Sequence, residues 1–169
     1  MRTSSVSRFV VTDPQRTAEL EAAFAALFLE RRKPEPFERV KSLTDRIILQ
    51  HILRYLPEFL QRYGASPLSL TPEHFHLVKQ AKLKQFNERW RRGTKEEKGS
   101  WDIGAQALLV GKSRHSLVDA KNMIHEAIHA LSFQSVDVHR GRVRVRRIGL
   151  SLSSSKGQKA YFSALNEAI

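Results

Sequence analysis

Cysteine is absent from this chain of 169 residues. That excludes a disulfide framework, a thiolate-ligated metal and a thiol nucleophile, and a reducing interior is the default expectation. Long apolar runs are lacking too. The longest, Ala22 to Leu29, has eight residues, too few to span a bilayer. Met1 to Gln15 carries two arginines but no apolar core of the secretory kind, so a cytoplasmic protein is expected. Acidic residues are few: 17 Asp and Glu face 29 Lys and Arg, for a net charge of +12. Such an excess favours acidic partners such as nucleic acid or an anionic surface. It is spread along the chain, however, with 19 basic against 12 acidic residues in 1–100 and 10 against 5 in 101–169. A solvated basic surface accounts for that distribution better than an acidic partner does.

The remaining composition, 41% hydrophobic and 27% charged, is that of a globular protein with one sizeable core or two small ones. The pattern predicts an α+β protein in two parts, a mainly helical region over 1–95 and a mixed region with a small sheet over 96–169. Phe9-Val10-Val11 reads as an arm or a short edge strand. Asp13-Pro14 opens a first helix striped by Leu20, Ala23, Phe24, Leu27 and Phe28 and ending near Arg31-Arg32-Lys33. A second runs from Phe37 through Arg54, is kinked or restarted at Pro57, and stops at Gly64. Thr71-Pro72-Glu73 predicts a third long helix to about Arg91, with His74 and His76 at its surface or at the edge of the core. Its Lys79, Lys82, Lys84, Arg89, Arg91 and Arg92, interleaved with Phe86 and Trp90, form the best candidate nucleic-acid patch. After a polar linker, Trp101 to Val110 reads as a strand or tight strand pair broken at Gly104. Val136 to Leu152 reads as one or two strands with a bulge or turn near Arg146-Arg147, and Lys159 to Ile169 as a last helix.

Chemistry concentrates in Met123 to Leu131. This stretch contains His125-Glu126-Ala127-Ile128-His129, an H-E-x-x-H motif. Leu117, Ala120, Ile124, Ala127, Ile128 and Leu131 recur at helical steps, predicting a buried amphipathic helix from about Leu117 to Phe133 with Ser116 and Asp119 as its capping box. Residues four apart share a helix face, so His125 and His129 can present two imidazoles to one Zn²⁺. Glu126 lies beside them as a candidate general base for a metal-bound water. Burying two histidines and a glutamate is costly unless something satisfies them, and a metal would. A catalytic zinc needs a third protein ligand, and downstream stand Glu167 and His139.

The combination H-E-A-I-H-A-L, an intervening β segment and L-N-E-A-I resembles the gluzincin branch of zinc metallopeptidases, which includes thermolysin-like enzymes, over about residues 101–169. The resemblance implies a zincin-like region with an active-site helix and a glutamate helix. It implies His125, His129 and Glu167 as zinc ligands, Glu126 as general base, and peptide or protein as substrate. Ala105 to Val110 would be the sheet edge along which the substrate lies. Tyr161 is a candidate oxyanion donor. The family's glutamate helix continues further than Ile169, so the sequence reads as lacking the C-terminal part of such a domain. With His139 as third ligand the chain would instead resemble SprT-type proteases, which act on DNA–protein crosslinks and whose DNA the positive charge would suit. A basic nucleic-acid-binding protein with an inactive zincin-like fold is the rival from another class.

Overall fold

In the computed structural model the described residues are 9–11, 16–62, 69–80, 82–83, 98–132, 134–139, 142–148, 151–153 and 160–161. They form an α+β protein. A first strand, β1 (Phe9–Val11), precedes helices α1 (Thr17–Glu30) and α2 (Leu43–Gln61). A 3-10 turn (Pro72–His74) leads into β2 (Phe75–Lys79), then the hairpin β3 (Gly99–Asp102) and β4 (Ala107–Lys112). Helix α3 (Ser116–Leu131) carries the H-E-x-x-H motif. Strands β5 (Gln134–His139), β6 (Arg142–Ile148), β7 (Ser151–Ser153) and β8 (Ala160–Tyr161) follow. Two sheets result, one ordered β1-β5-β6-β7-β8 and one ordered β2-β4-β3.

The three-stranded sheet is apolar on both faces, which explains its composition. Phe75, Leu77, Trp101, Leu108 and Val110 join Phe24 and Phe28 of α1, Leu49 and Ile52 of α2, and Met123, Ala127 and Ala130 of α3 in the main core. Val78 and Leu109, one residue out of phase, pack with Leu83 on the opposite face. A strand buried on both sides loses the alternation that marks a half-buried one. That is why the third long helix does not start at Thr71 as expected. Phe75-His76-Leu77-Val78 is a wholly buried strand, parallel to β4 in the register Phe75↔Leu108 to Lys79↔Lys112. The basic patch expected along that helix falls mostly on residues outside those described.

Helix α2 begins later than its apolar pattern suggests. Ser42 stops the chain with a capping box: Asp45 N donates to Ser42 Oγ at 3.2 Å, and Ser42 N donates to Asp45 Oδ2 at 2.9 Å. Phe37 to Lys41 stay outside the helix, where Glu38 bridges Val78 of β2. Pro57 lies within α2 without ending it. Replacing Ser42 with Ala should cost about 1 kcal/mol, since Asp45 N loses its acceptor and Asp45 Oδ2 loses the hydroxyl donor, while the backbone bond from residue 42 to Asp45 remains. Thermal unfolding measures that loss, and a glycine at the same position should cost less.

The hairpin matches its sequence signal, with one refinement. Asp102 Oδ1 accepts from Ala105 N at 3.0 Å, and Gln106 takes a positive φ of 51° to close the turn. Arg31 Nε, just past α1, donates to Ala105 O at 2.9 Å and ties the turn to the helical layer. In the larger sheet Ser135 pairs with Arg147 but Val136 with Val145, so Arg146 is the extra residue of a bulge, where the broken alternation placed it. Ala160–Tyr161 is a strand paired antiparallel with β7, not the start of a helix. Pairing to an existing sheet edge here outweighs local helical composition.

Candidate metal and hydrolytic site

Helix α3 presents a different face to the core from the one its aliphatic residues suggest. Leu117 is 85% exposed and Ile124 41%, while Asp119, Met123, Glu126, Ala127, His129, Ala130 and Leu131 are buried. Polar anchors turn the helix. At its start, Lys112 Nζ, on the last residue of β4, lies 2.5 Å from Asp119 Oδ2 and 2.6 Å from Asp45 Oδ1. Asp119 also accepts from Ser113 N at 2.7 Å. Asp119 is thus committed to the strand end and the preceding loop, and no side-chain cap is formed at the helix start, contrary to the capping box expected from Ser116 and Asp119. Burial pushes both carboxyls up, but the hydrogen bonds and charge of Lys112, with those from Ser42 and Ser113, outweigh it and hold Asp45 and Asp119 below their ordinary value. Burial likewise lowers Lys112, and its two carboxylate partners more than compensate.

At the other end, Gln134 Nε2 donates to the carbonyls of His129 and Ala130 at 3.2 and 3.0 Å, and Ser132 Oγ donates to His129 O at 3.1 Å. These bonds satisfy last-turn carbonyls that a helix leaves open. They also fix the turn carrying the second histidine.

Between these anchors the motif residues converge. His125 Nε2 and His129 Nε2 stand 3.0 Å apart, their rings edge to face with centroids at 4.5 Å. Two nitrogens bound tetrahedrally to zinc at about 2.0–2.1 Å would lie roughly 3.4 Å apart, so the pair needs only a small opening to hold the ion. Glu126 is 5% exposed. Its side chain lies against β3 so closely that a Cβ built on Gly99 would stand 2.7 Å from Oε1. The donor set thus fits a zinc ion on two of the three ligands. Among the described residues no group of three His, Cys, Asp or Glu side chains converges for a metal. Glu167 lies outside the described residues, His139 closes β5, and Tyr161 sits in β8 opposite Leu152.

One expectation about the surrounding sheet is corrected. Ala105 to Val110 cannot serve as the sheet edge, because β4 is central and bonded to β2 and β3 on its two sides. The edge beside α3 is β3, which takes Gly99 and Ser100 from the expected linker and Trp101 and Asp102 from the expected strand pair. His74 and His76, expected at the surface or at the edge of the core, are both buried. His76, fully buried, has its Nδ1 2.9 Å from Glu38 Oε2, and Lys41 Nζ lies 2.6 Å from Glu38 Oε1. Burial raises the Glu38 carboxyl, yet these two partners together bring it below its usual value. His74 stacks on Phe28 at 3.8 Å, and burial, aided by the positive charge of Arg32, pushes its imidazole down to about 4. Their signal was slight: Phe75, Leu77 and Val78 around His76 suit a buried parallel strand as well as a helix.

An open cavity of about 480 Å³ lies elsewhere, between the α1–α2 connection, the start of α2 and the 3-10 turn. Its lining mixes Glu35, Glu38 and Glu73 with Arg39, Lys41 and Arg46, and includes nothing from α3. No helix among the described residues is long and apolar enough to cross a membrane. Comparisons with known protein families, curated proteins and solved structures return no match.

Proposed function

We propose that the chain is a zinc-dependent metallopeptidase region that hydrolyses peptide bonds with Glu126 as general base. The observation that supports this most is the convergence of the His125 and His129 Nε2 atoms at 3.0 Å beside a buried Glu126. Zinc in such a site lowers the pKa of a bound water and polarises a carbonyl. His125 and His129 would hold the ion, with Glu167 as third ligand. Glu126 would take the proton from the attacking water on its carboxylate and return it to the departing amine. Asp119 and Gln134 keep the helix in the rotation that aims these side chains. A substrate strand would add along β3 rather than β4, since β3 is the edge that borders α3.

The ligand assignment is tested by metal content and zinc affinity of the purified protein. His125→Ala and His129→Ala should each abolish stoichiometric zinc. Glu167→Ala should weaken binding at least about tenfold to a hundredfold, the range typical even for a lost supporting contact, and His139→Ala should leave it near wild type. The reverse order for the last two variants would favour the SprT-like ligand set. Salt-dependent DNA binding by a protein that takes up no zinc would instead support the inactive, nucleic-acid-binding alternative.

A further inference from the structure

We infer that Gly99 is a positioning residue for Glu126: the missing side chain on the edge strand makes the slot that holds the carboxylate of the general base. This rests on the metallopeptidase reading above. A Cβ at residue 99 would meet three successive parts of Glu126, Oε1 at 2.7 Å, Cγ at 2.8 Å and Cδ at 3.0 Å. The glutamate therefore lies along the glycine rather than touching it with its tip. A Cβ at Gly104 would meet only Asp102 Oδ1, at 3.4 Å, and one at Gly111 would crowd the Gln80 side chain and Lys98 O; of these three glycines Gly99 is the one packed against Glu126.

Backbone conformation does not explain the glycine. Gly99 sits in a regular strand, outside the positive-φ range that favours glycine. What is special is the space. Glu126 has little freedom to retreat, because Met123, Ala127 and Ala130 of the same helix are fully buried in the core. The register adds a second point. Gly111 N donates to Lys98 O at 2.8 Å, which makes Lys98 and Gly111 a hydrogen-bonded pair and turns the backbone groups of Gly99 away from β4. Glu126 is thus packed against a residue whose backbone groups face the outer edge of the sheet. A side chain at residue 99 would push the carboxylate out of that place while leaving both histidines on their helix.

The test uses the full chain loaded with Zn²⁺ and fluorescein-labelled casein as probe. Gly99→Ala should lower kcat by about 10- to 100-fold, part of what a lost general base costs, with KM within about twofold and zinc affinity unchanged. Glu126→Asp, one methylene shorter, should slow the parent protein yet raise turnover when added to Gly99→Ala. Loss through KM alone, loss of zinc, or independent effects of the two substitutions would overturn the proposal. Should the zinc-loaded parent not cleave casein, the metallopeptidase reading fails and the base role fails with it. A stability cycle on metal-free protein still decides whether Gly99 holds Glu126. Gly99→Ala should then lower Tm by roughly 2–4 °C and do nothing in a Glu126→Ala background, whereas an equal drop in both backgrounds refutes the contact.

Discussion

Glu126→Gln is expected to keep zinc at the wild-type level and to reduce casein hydrolysis by about 10²- to 10⁴-fold, the contribution of a positioned general base. Glutamine matches glutamate in size, so it fills the slot against Gly99 and leaves His125 and His129 undisturbed. Its amide cannot take a proton from the attacking water. Because Glu126 is 5% exposed, bulk water has little access to the position its carboxylate occupies. Zinc content and turnover, measured on the same preparation, separate the two effects. Unchanged turnover would remove Glu126 from the reaction, and lost zinc would show that it helps to hold the ion.

Lys112→Met should be the most destabilising of these changes. It removes the only cation found on Asp45 and Asp119 among the described ion pairs and leaves two buried carboxylates facing each other. Breaking a buried pair from one side costs about 3–5 kcal/mol. The bonds from Ser42 to Asp45 and from Ser113 to Asp119 survive, which points to the lower half of that range. For a protein of this size the melting temperature should fall by roughly 6–16 °C. The pH dependence gives a sharper check. In the wild type both carboxyls lie below their ordinary value of 3.8. Their contribution is therefore complete above that pH and fades as acid takes them through their folded values. Lys112 lies above 10.5, so its contribution is complete below that pH and fades as alkali takes it through its folded value. Without the lysine, burial and mutual repulsion raise the carboxyls instead, and the variant should gain stability on acidification from pH 7 towards 5. Unfolding curves at several pH values show which slope applies.

Much of the site was legible because its signals are local. The H-E-x-x-H spacing places two histidines on one face whatever surrounds the helix. Asp102 to Gln106 announces a turn, and the shifted alternation at Arg146 announces a bulge. What was not legible depends on partners distant in sequence. Phe75 to Val78 satisfies a helical pattern and a buried strand equally, and only pairing with Leu108 to Gly111 decides between them. Leu117 and Ile124 look like the inner face of α3 until Lys112 claims Asp119 and Gly99 admits Glu126. Gly99 itself closes a stretch of lysine and glutamate and carries no mark of its role. The two polar anchors, not the aliphatic stripe, set the rotation of the helix. The Glu38–His76 pair likewise joins residues 38 apart and has no sequence spacing by which it could be recognised.

The parallel pairing of Phe9–Val11 with Gln134–Val136 also has a consequence in time. During synthesis the first strand emerges more than a hundred residues before the strand it joins, and β2 must likewise wait for β4. Closing such loops is entropically costly until the later contacts exist to reward it. At about 5–20 residues per second, β1 remains without its partner for roughly 6–25 seconds on the ribosome. Helices α1 and α2 can form early in that interval, but the core they share with β4 and α3 must wait until its end. The histidine pair is thus assembled late, when nearly all of its supporting chain has already been made.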